Sequence, residues 1–105
     1  MPRGDWRPTH SSTLAAIEFL EQRWTLRLVW ELDAGPLDLD TLAQRMAGCS
    51  IADLACRLDY LRTTRLVEIS DGAYALTPTG SELARALDAV WCWASAWHPI
   101  VRQPI

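Results

Sequence analysis

The 105-residue sequence predicts a mainly helical fold carrying one small β-hairpin. Three observations carry that prediction. Ser50 opens a run in which Ile51, Leu54, Leu58 and Leu61 recur at helical spacing, and Asp53 sits three residues past the cap, where its carboxylate reaches free N–H groups. Two strands follow, at 66–70 and 73–77, joined by Asp71-Gly72. That dipeptide suits a two-residue type I′ turn, whose central residues both need positive φ. The turn sets the register: Ile69 faces Tyr74 and Val67 faces Leu76, so all four share one face. Further helical runs lie upstream and downstream. A helix pair followed by a tight hairpin and a closing helix is a winged helix-turn-helix, in the order α-α-α-α-β-β-α.

Each element has its own signal. Residues 1–10 read as a polar N-terminal arm whose sticky residue is Trp6. Ser11-Ser12-Thr13 offers N-caps for a first helix with Leu14, Ile17, Phe19 and Leu20 as its apolar stripe. A second helix is predicted from Trp24 to Ala34: Trp24, Leu28 and Leu32 are spaced four apart, and Val29 widens the stripe. Gly35-Pro36 ends it. Leu37 to Leu39 reads as an extended connector. Asp40 is placed to cap a third helix, with Leu42, Ala43 and Met46 inward and Gly48 at its end. The fourth helix runs from Ser50 to about Arg65. Thr77-Pro78 starts the last helix, with threonine as N-cap and proline at the first helical position. It should stop before Pro99. Its apolar positions, Leu83, Ala86, Leu87, Val90, Trp91, Trp93, Ala94 and Trp97, cover roughly 160° of the wheel, wider than a one-sided surface helix needs. The surplus face predicts a symmetric dimer. The organisation is thus an arm at 1–10, a winged helix-turn-helix at 11–77, and a dimerisation helix and tail at 78–105.

Composition excludes several classes. Half the residues are hydrophobic, so a folded domain is expected, but no apolar run reaches the roughly 18 residues that span a bilayer. The N-terminus lacks a signal-peptide core, which points to the cytoplasm. Three irregularly spaced cysteines argue against a disulfide scaffold. His10 and His98 stand apart, no Cys/His cluster has metal-ligand spacing, and Asp38 and Asp40 read as caps. With no nucleophile motif, phosphate loop or carboxylate pair, no catalysis, metal or cofactor is expected. The net charge of −3 runs against bulk electrostatic attraction to DNA.

The ordered motifs resemble one family. Ala16-Ile-Glu-Phe-Leu-Glu-Gln-Arg-Trp24-Thr-Leu is similar to the opening of HxlR-type regulators. Glu31-Leu-Asp-Ala-Gly-Pro36, Leu39-Asp-Thr-Leu42, Gly48-Cys-Ser50, Leu58-Asp-Tyr-Leu61, Leu66-Val-Glu68 and Tyr74-Ala-Leu-Thr-Pro-Thr-Gly80 continue the likeness, over about residues 14 to 97. The resemblance implies a homodimeric bacterial transcription factor. Its first and last helices would build the dimer, and its fourth helix would enter the major groove of a palindromic operator. The sequence departs from that pattern in two places. The fourth-helix face is partly acidic, and the wing is reduced to Asp71-Gly72 where family wings are longer and carry arginine.

The candidate DNA-contacting residues are Ser50, Ala52, Asp53, Cys56, Arg57, Asp59, Tyr60, Arg62 and Thr63, with Thr64 as a further hydroxyl. Arg57 would meet a phosphate or a guanine edge; the plainer alternative is an i, i+4 pair with Asp53 on a solvated face. Trp6, Leu14, Trp24, Trp30, Leu87, Trp91, Trp93 and Trp97 are the candidates for a dimer or ligand interface. As dimer core they would bury large apolar areas; the other reading is a pocket for a flat aromatic effector. Cys49 precedes a helix N-terminus, where the dipole lowers a thiol pKa. Cys49 and Cys56 are roughly 10 Å apart on helical geometry, too far for a disulfide, and Cys92 faces away from the apolar arc. The competing function is a winged-helix module that has lost DNA binding and acts on a ligand or protein partner.

Overall fold

The computed structural model describes residues 10–104, so the arm through residue 9, Trp6 included, lies outside the described residues. Five helices and a small sheet follow one another: α1 (His10–Glu21), α2 (Thr25–Leu32), β1 (Leu37–Asp38), α3 (Leu39–Arg45), α4 (Ile51–Thr63), β2 (Val67–Ser70), β3 (Ala73–Leu76) and α5 (Pro78–Arg102). This is the winged helix-turn-helix order with one strand added. Residues 37–38, expected as a bare connector, pair with β3, Leu37 opposite Tyr74 and Asp38 opposite Ala73. The sheet is therefore three-stranded, ordered β1-β3-β2.

The hairpin has the expected register, Val67 opposite Leu76 and Ile69 opposite Tyr74. Asp71 at φ 53 and Gly72 at φ 77 give both turn residues the left-handed geometry that a type I′ turn demands.

Several boundaries differ from the sequence reading. Asp38, not Asp40, caps α3: its carboxylate accepts from Thr41 N at 2.8 Å, because pairing with β3 ends the extended backbone one residue before the helix. Trp24 precedes α2 with φ 74 instead of standing within it. Ile51 is 55 % exposed although it falls on the apolar stripe, because the first turn of α4 projects beyond the core. The last helix passes through Pro99 and ends at Arg102. Proline there removes one helical N–H bond, but the turn is exposed, and water can satisfy the freed carbonyl of Ser95.

The main core joins Leu28 and Leu32 of α2, Leu42 of α3 and Met46 beyond it, Leu54, Leu58 and Leu61 of α4, and Leu66 and Val67 at the sheet. Each such side chain contributes about 1.5–3 kcal/mol on burial. A second cluster, Val29, Ala84 and Leu87, fastens the first half of α5 to α2. Gly80 permits that docking. A Cβ there would lie closer than 3.0 Å to the Leu66 carbonyl oxygen and 3.2 Å from Leu76 Cδ2. No helix among the described residues is long and apolar enough to cross a membrane.

Candidate nucleic-acid interface

The helix-turn-helix pair is built from α3 and α4. Met46 N donates to Leu42 O at 2.8 Å and Cys49 N to Met46 O at 2.9 Å, which turns the chain between them. The indole of Trp24 lies over this turn, its Cη2 3.9 Å from where a Cβ on Gly48 would stand. Ser50 then caps α4 by accepting from Asp53 N at 3.1 Å.

α4 buries Leu54, Leu58 and Leu61. Its solvent side presents Ala52, Asp53, Cys56, Asp59, Arg62 and Thr63, all exposed, with Ser50 exposed at the cap. The structure thus brings the candidate contacts onto one continuous surface, except Tyr60 and Arg57, which turn to its edge. The Tyr60 ring lies 5.9 Å from that of Phe19 of α1. Arg57 is held by Gln22, its Nη1 donating to Gln22 Oε1 at 2.7 Å, rather than by Asp53. Gln22 Nε2 in turn donates to the Tyr60 hydroxyl at 3.3 Å. Gln22 went unnoticed in the sequence because it lies 35 residues from Arg57 and on no apolar or charged pattern. Thr63 and Thr64 spend their hydroxyls on the carbonyls of Tyr60 and Leu61.

Beside α4, an open groove of about 460 Å³ runs against β2, lined by Asp59, Arg62, Thr63, Val67, Glu68 and Ile69. Its charge is mixed: one arginine stands against two carboxylates. Arg45, at the end of α3, is turned away from this surface. It reaches Glu31 at 3.7 Å, while Arg27 binds the same carboxylate at 2.7 Å and donates to Arg45 O at 2.8 Å. Glu31, only 6 % exposed, so clamps α3 to α2. The role of Glu31 went unnoticed in the sequence, although its i, i+4 spacing from Arg27 is a signal for half of this clamp.

Burial, then the charge of Asp53, pushes the Cys49 thiol up, with Arg23 opposing, the reverse of the lowering expected from the helix N-terminus. Cys56 is exposed in the middle of the α4 face. Among the described residues no cluster of three or more His, Cys, Asp or Glu side chains could hold a metal.

The described tryptophans separate into two groups. Trp24 packs against the main core, and Leu87, also expected at an interface, is buried against the second cluster; both serve this chain's own packing. Trp93 and Trp97 stack on each other at 5.2 Å and 14° and stand exposed, as do Trp30 and Leu14. Trp91 and Trp30, with Leu26 and Arg27, line an almost wholly apolar recess of about 230 Å³.

Comparison with known proteins agrees with this geometry. The HxlR-like helix-turn-helix family model matches residues 19–101. The quinone-bound YodB of B. subtilis superposes with a TM-score of 0.71 at 28% identity, over 85% of this chain and 97% of YodB. The reduced form of the transcriptional regulator YodB gives 0.73 at 23%, over 83% and 92%. A protein assigned to the MarR family of transcriptional regulators, from Enterococcus faecalis V583, gives 0.77 at 24%, over 89% and 91%. No curated protein matches the chain. The chain shares the winged helix-turn-helix architecture of these structures and belongs to the HxlR-like helix-turn-helix family.

Proposed function

We propose that this protein is a homodimeric transcriptional regulator that places α4 of each subunit in successive major grooves of a palindromic site, about 34 Å apart. The observation that carries the reading is the one-sided burial of α4. Only Leu54, Leu58 and Leu61 face the core, while Cys56, Asp59, Arg62 and Thr63 stand in solvent and Arg57 lies at the edge. Arg57 and Arg62 meet phosphates, and Ser50, Ala52, Asp53 and Cys56 come nearest the base edges. Tyr60 supports the helix from behind. The dimer reading rests on α1 and α5: Leu14, Ile17, Val90, Trp93, Trp97, Ile100 and Val101 are each 42–65 % exposed, an apolar surface that a soluble monomer seldom leaves uncovered.

The test is binding to the DNA upstream of the protein's own coding sequence, titrated with salt. Tight binding with a steep salt slope, reduced by about one phosphate contact in Arg57→Ala, supports the reading. Sedimentation of Trp97→Asp should show monomers where the unaltered protein shows dimers. Binding with no salt dependence would refute the phosphate contacts.

A second reading adds an effector. The recess of Leu26, Arg27, Trp30 and Trp91 favours a flat aromatic molecule, and the neighbouring YodB was crystallised with quinone bound. Occupancy would alter how α5 sits on α2, and with it the spacing of the two α4 helices. Unchanged tryptophan fluorescence across a panel of flat aromatic compounds, benzoquinone among them, would sink this reading.

A further inference from the structure

We propose that Gln22 is a positioning residue for DNA contact, its side-chain amide, itself braced by the Tyr60 hydroxyl, pre-ordering Arg57 from outside the helix-turn-helix pair. The inference rests on the reading of α4 as the DNA-contacting helix. Gln22 lies in the turn between α1 and α2, where its backbone is fixed at both ends: its N–H donates to Phe19 O and its carbonyl accepts from Thr25 N, each at 3.2 Å. A side chain on so fixed a Cα is a stable anchor.

The chemistry of the contact is unambiguous. Arginine has five N–H donors and no acceptor, so the amide oxygen must face Arg57 and the amide N–H groups must face the Tyr60 hydroxyl. The distances, 2.7 and 3.3 Å, match that orientation. Arg57 and Tyr60 are three residues apart on α4, so a single amide spans one turn of the helix. The contact uses one N–H of the guanidinium. An unheld arginine loses rotamer freedom when it meets a phosphate; here much of that loss is incurred before binding.

The anchor is also neutral. Arg27 and Arg45 are held by the carboxylate of Glu31, which cancels charge. Arg57 is held by an amide and keeps its full charge for the phosphate. The Phe19–Tyr60 ring contact ties the same corner to α1, so the placement of the first helix is transmitted to the side chains that meet DNA.

The experiment measures fluorescence anisotropy on a random-sequence duplex of about 30 base pairs, from low to physiological salt. Gln22→Ala should weaken binding about 3- to 10-fold while the salt slope stays near that of the unaltered protein, because the phosphate contact persists but is no longer pre-ordered. Arg57→Ala should weaken binding and lower the slope by about one contact. The double variant should bind no worse than Arg57→Ala, since Gln22 acts only through Arg57. Gln22→Glu should lower the slope as Arg57→Ala does, because a carboxylate neutralises the arginine. Tyr60→Phe, which keeps the ring against Phe19 but drops the hydroxyl, should weaken binding about 2-fold and remains informative if Gln22→Ala is poorly folded. Additive effects in the double variant, or Gln22→Ala binding as the unaltered protein does while Arg57→Ala is impaired, would overturn this inference alone. Arg57→Ala with unaltered affinity and slope, or no binding at any salt, would overturn it together with the reading of α4.

Discussion

Gly80→Ala tests how α5 is seated. The new Cβ would come closer than 3.0 Å to the Leu66 carbonyl oxygen, 3.1 Å from its carbon and 3.2 Å from Leu76 Cδ2. The nearest atoms are backbone, so no side chain can swing aside. The carbonyl is also engaged, accepting from Thr77 N at 3.0 Å, and Leu66 N donates to Leu61 O at 3.0 Å. Relief therefore requires moving α5 or the α4–β2 connection by roughly an ångström. Overpacking against a well-ordered site costs about 3 kcal/mol, and alanine returns up to about 1 kcal/mol of helix propensity. The net expectation is a loss of about 2 kcal/mol, or about 8–16 °C in Tm for a domain of this size. Urea unfolding at fixed protein concentration is the assay, since dimerisation couples stability to concentration. Glu82→Ala, exposed in the same turn, serves as control and should stay within about 0.5 kcal/mol. A neutral or stabilising Gly80→Ala would refute the close seating of α5 on Leu66.

Three further outcomes are expected. The buried Thr25 hydroxyl has no hydrogen-bond partner, so Thr25→Val should be neutral or stabilise by about 1 kcal/mol, read from the urea midpoint; a clear loss would show that the hydroxyl is satisfied. Glu31→Gln should cost about 1–2 kcal/mol, less than the roughly 3–5 kcal/mol of a broken buried pair because Arg27 and Arg45 are half exposed, and should speed hydrogen exchange in α3, where the clamp is lost. Asp38 has its carboxyl held below the ordinary value of 3.8 by the Thr41 hydrogen bonds. A lowered folded pKa means that the stabilisation is present above the unfolded value and is lost as pH falls through the folded one. The advantage of the unaltered protein over Asp38→Asn should therefore be constant at pH 6 and shrink below about pH 4; a gap that widens on acidification would contradict the cap.

What could be read in the sequence followed from local rules. Asp71-Gly72 fixed the hairpin because turn geometry alone sets the register, and Leu54, Leu58 and Leu61 declared their face by spacing. The misreadings lie where a tertiary partner decides. Nothing local distinguishes Asp38 from Asp40 as a cap; pairing of residues 37–38 with β3 does. Ile51 obeys the helical period, yet the first turn of α4 extends past the core. Leu87 looked like surplus apolar surface until α2 supplied Val29 as its neighbour. The Gln22–Arg57 contact spans 35 residues, and Gln22 lies on no apolar or charged pattern, so only the folded chain shows it.

The two-residue turn of the wing bears on what an operator would look like to a chemical probe. With four residues in each strand, the ribbon rises only about 13 Å, and its tip carries the carboxylate of Asp71 and no arginine. On the docking proposed above, such a tip would neither reach into a minor groove nor be held by its phosphates. Hydroxyl-radical cleavage of a bound operator should then leave the flanking minor grooves open, with protection confined to the backbone beside α4. Replacing the flanks with A·T-rich tracts, whose narrow minor groove rewards an inserted arginine, should leave affinity unchanged; a gain in affinity would show that the wing contacts DNA after all.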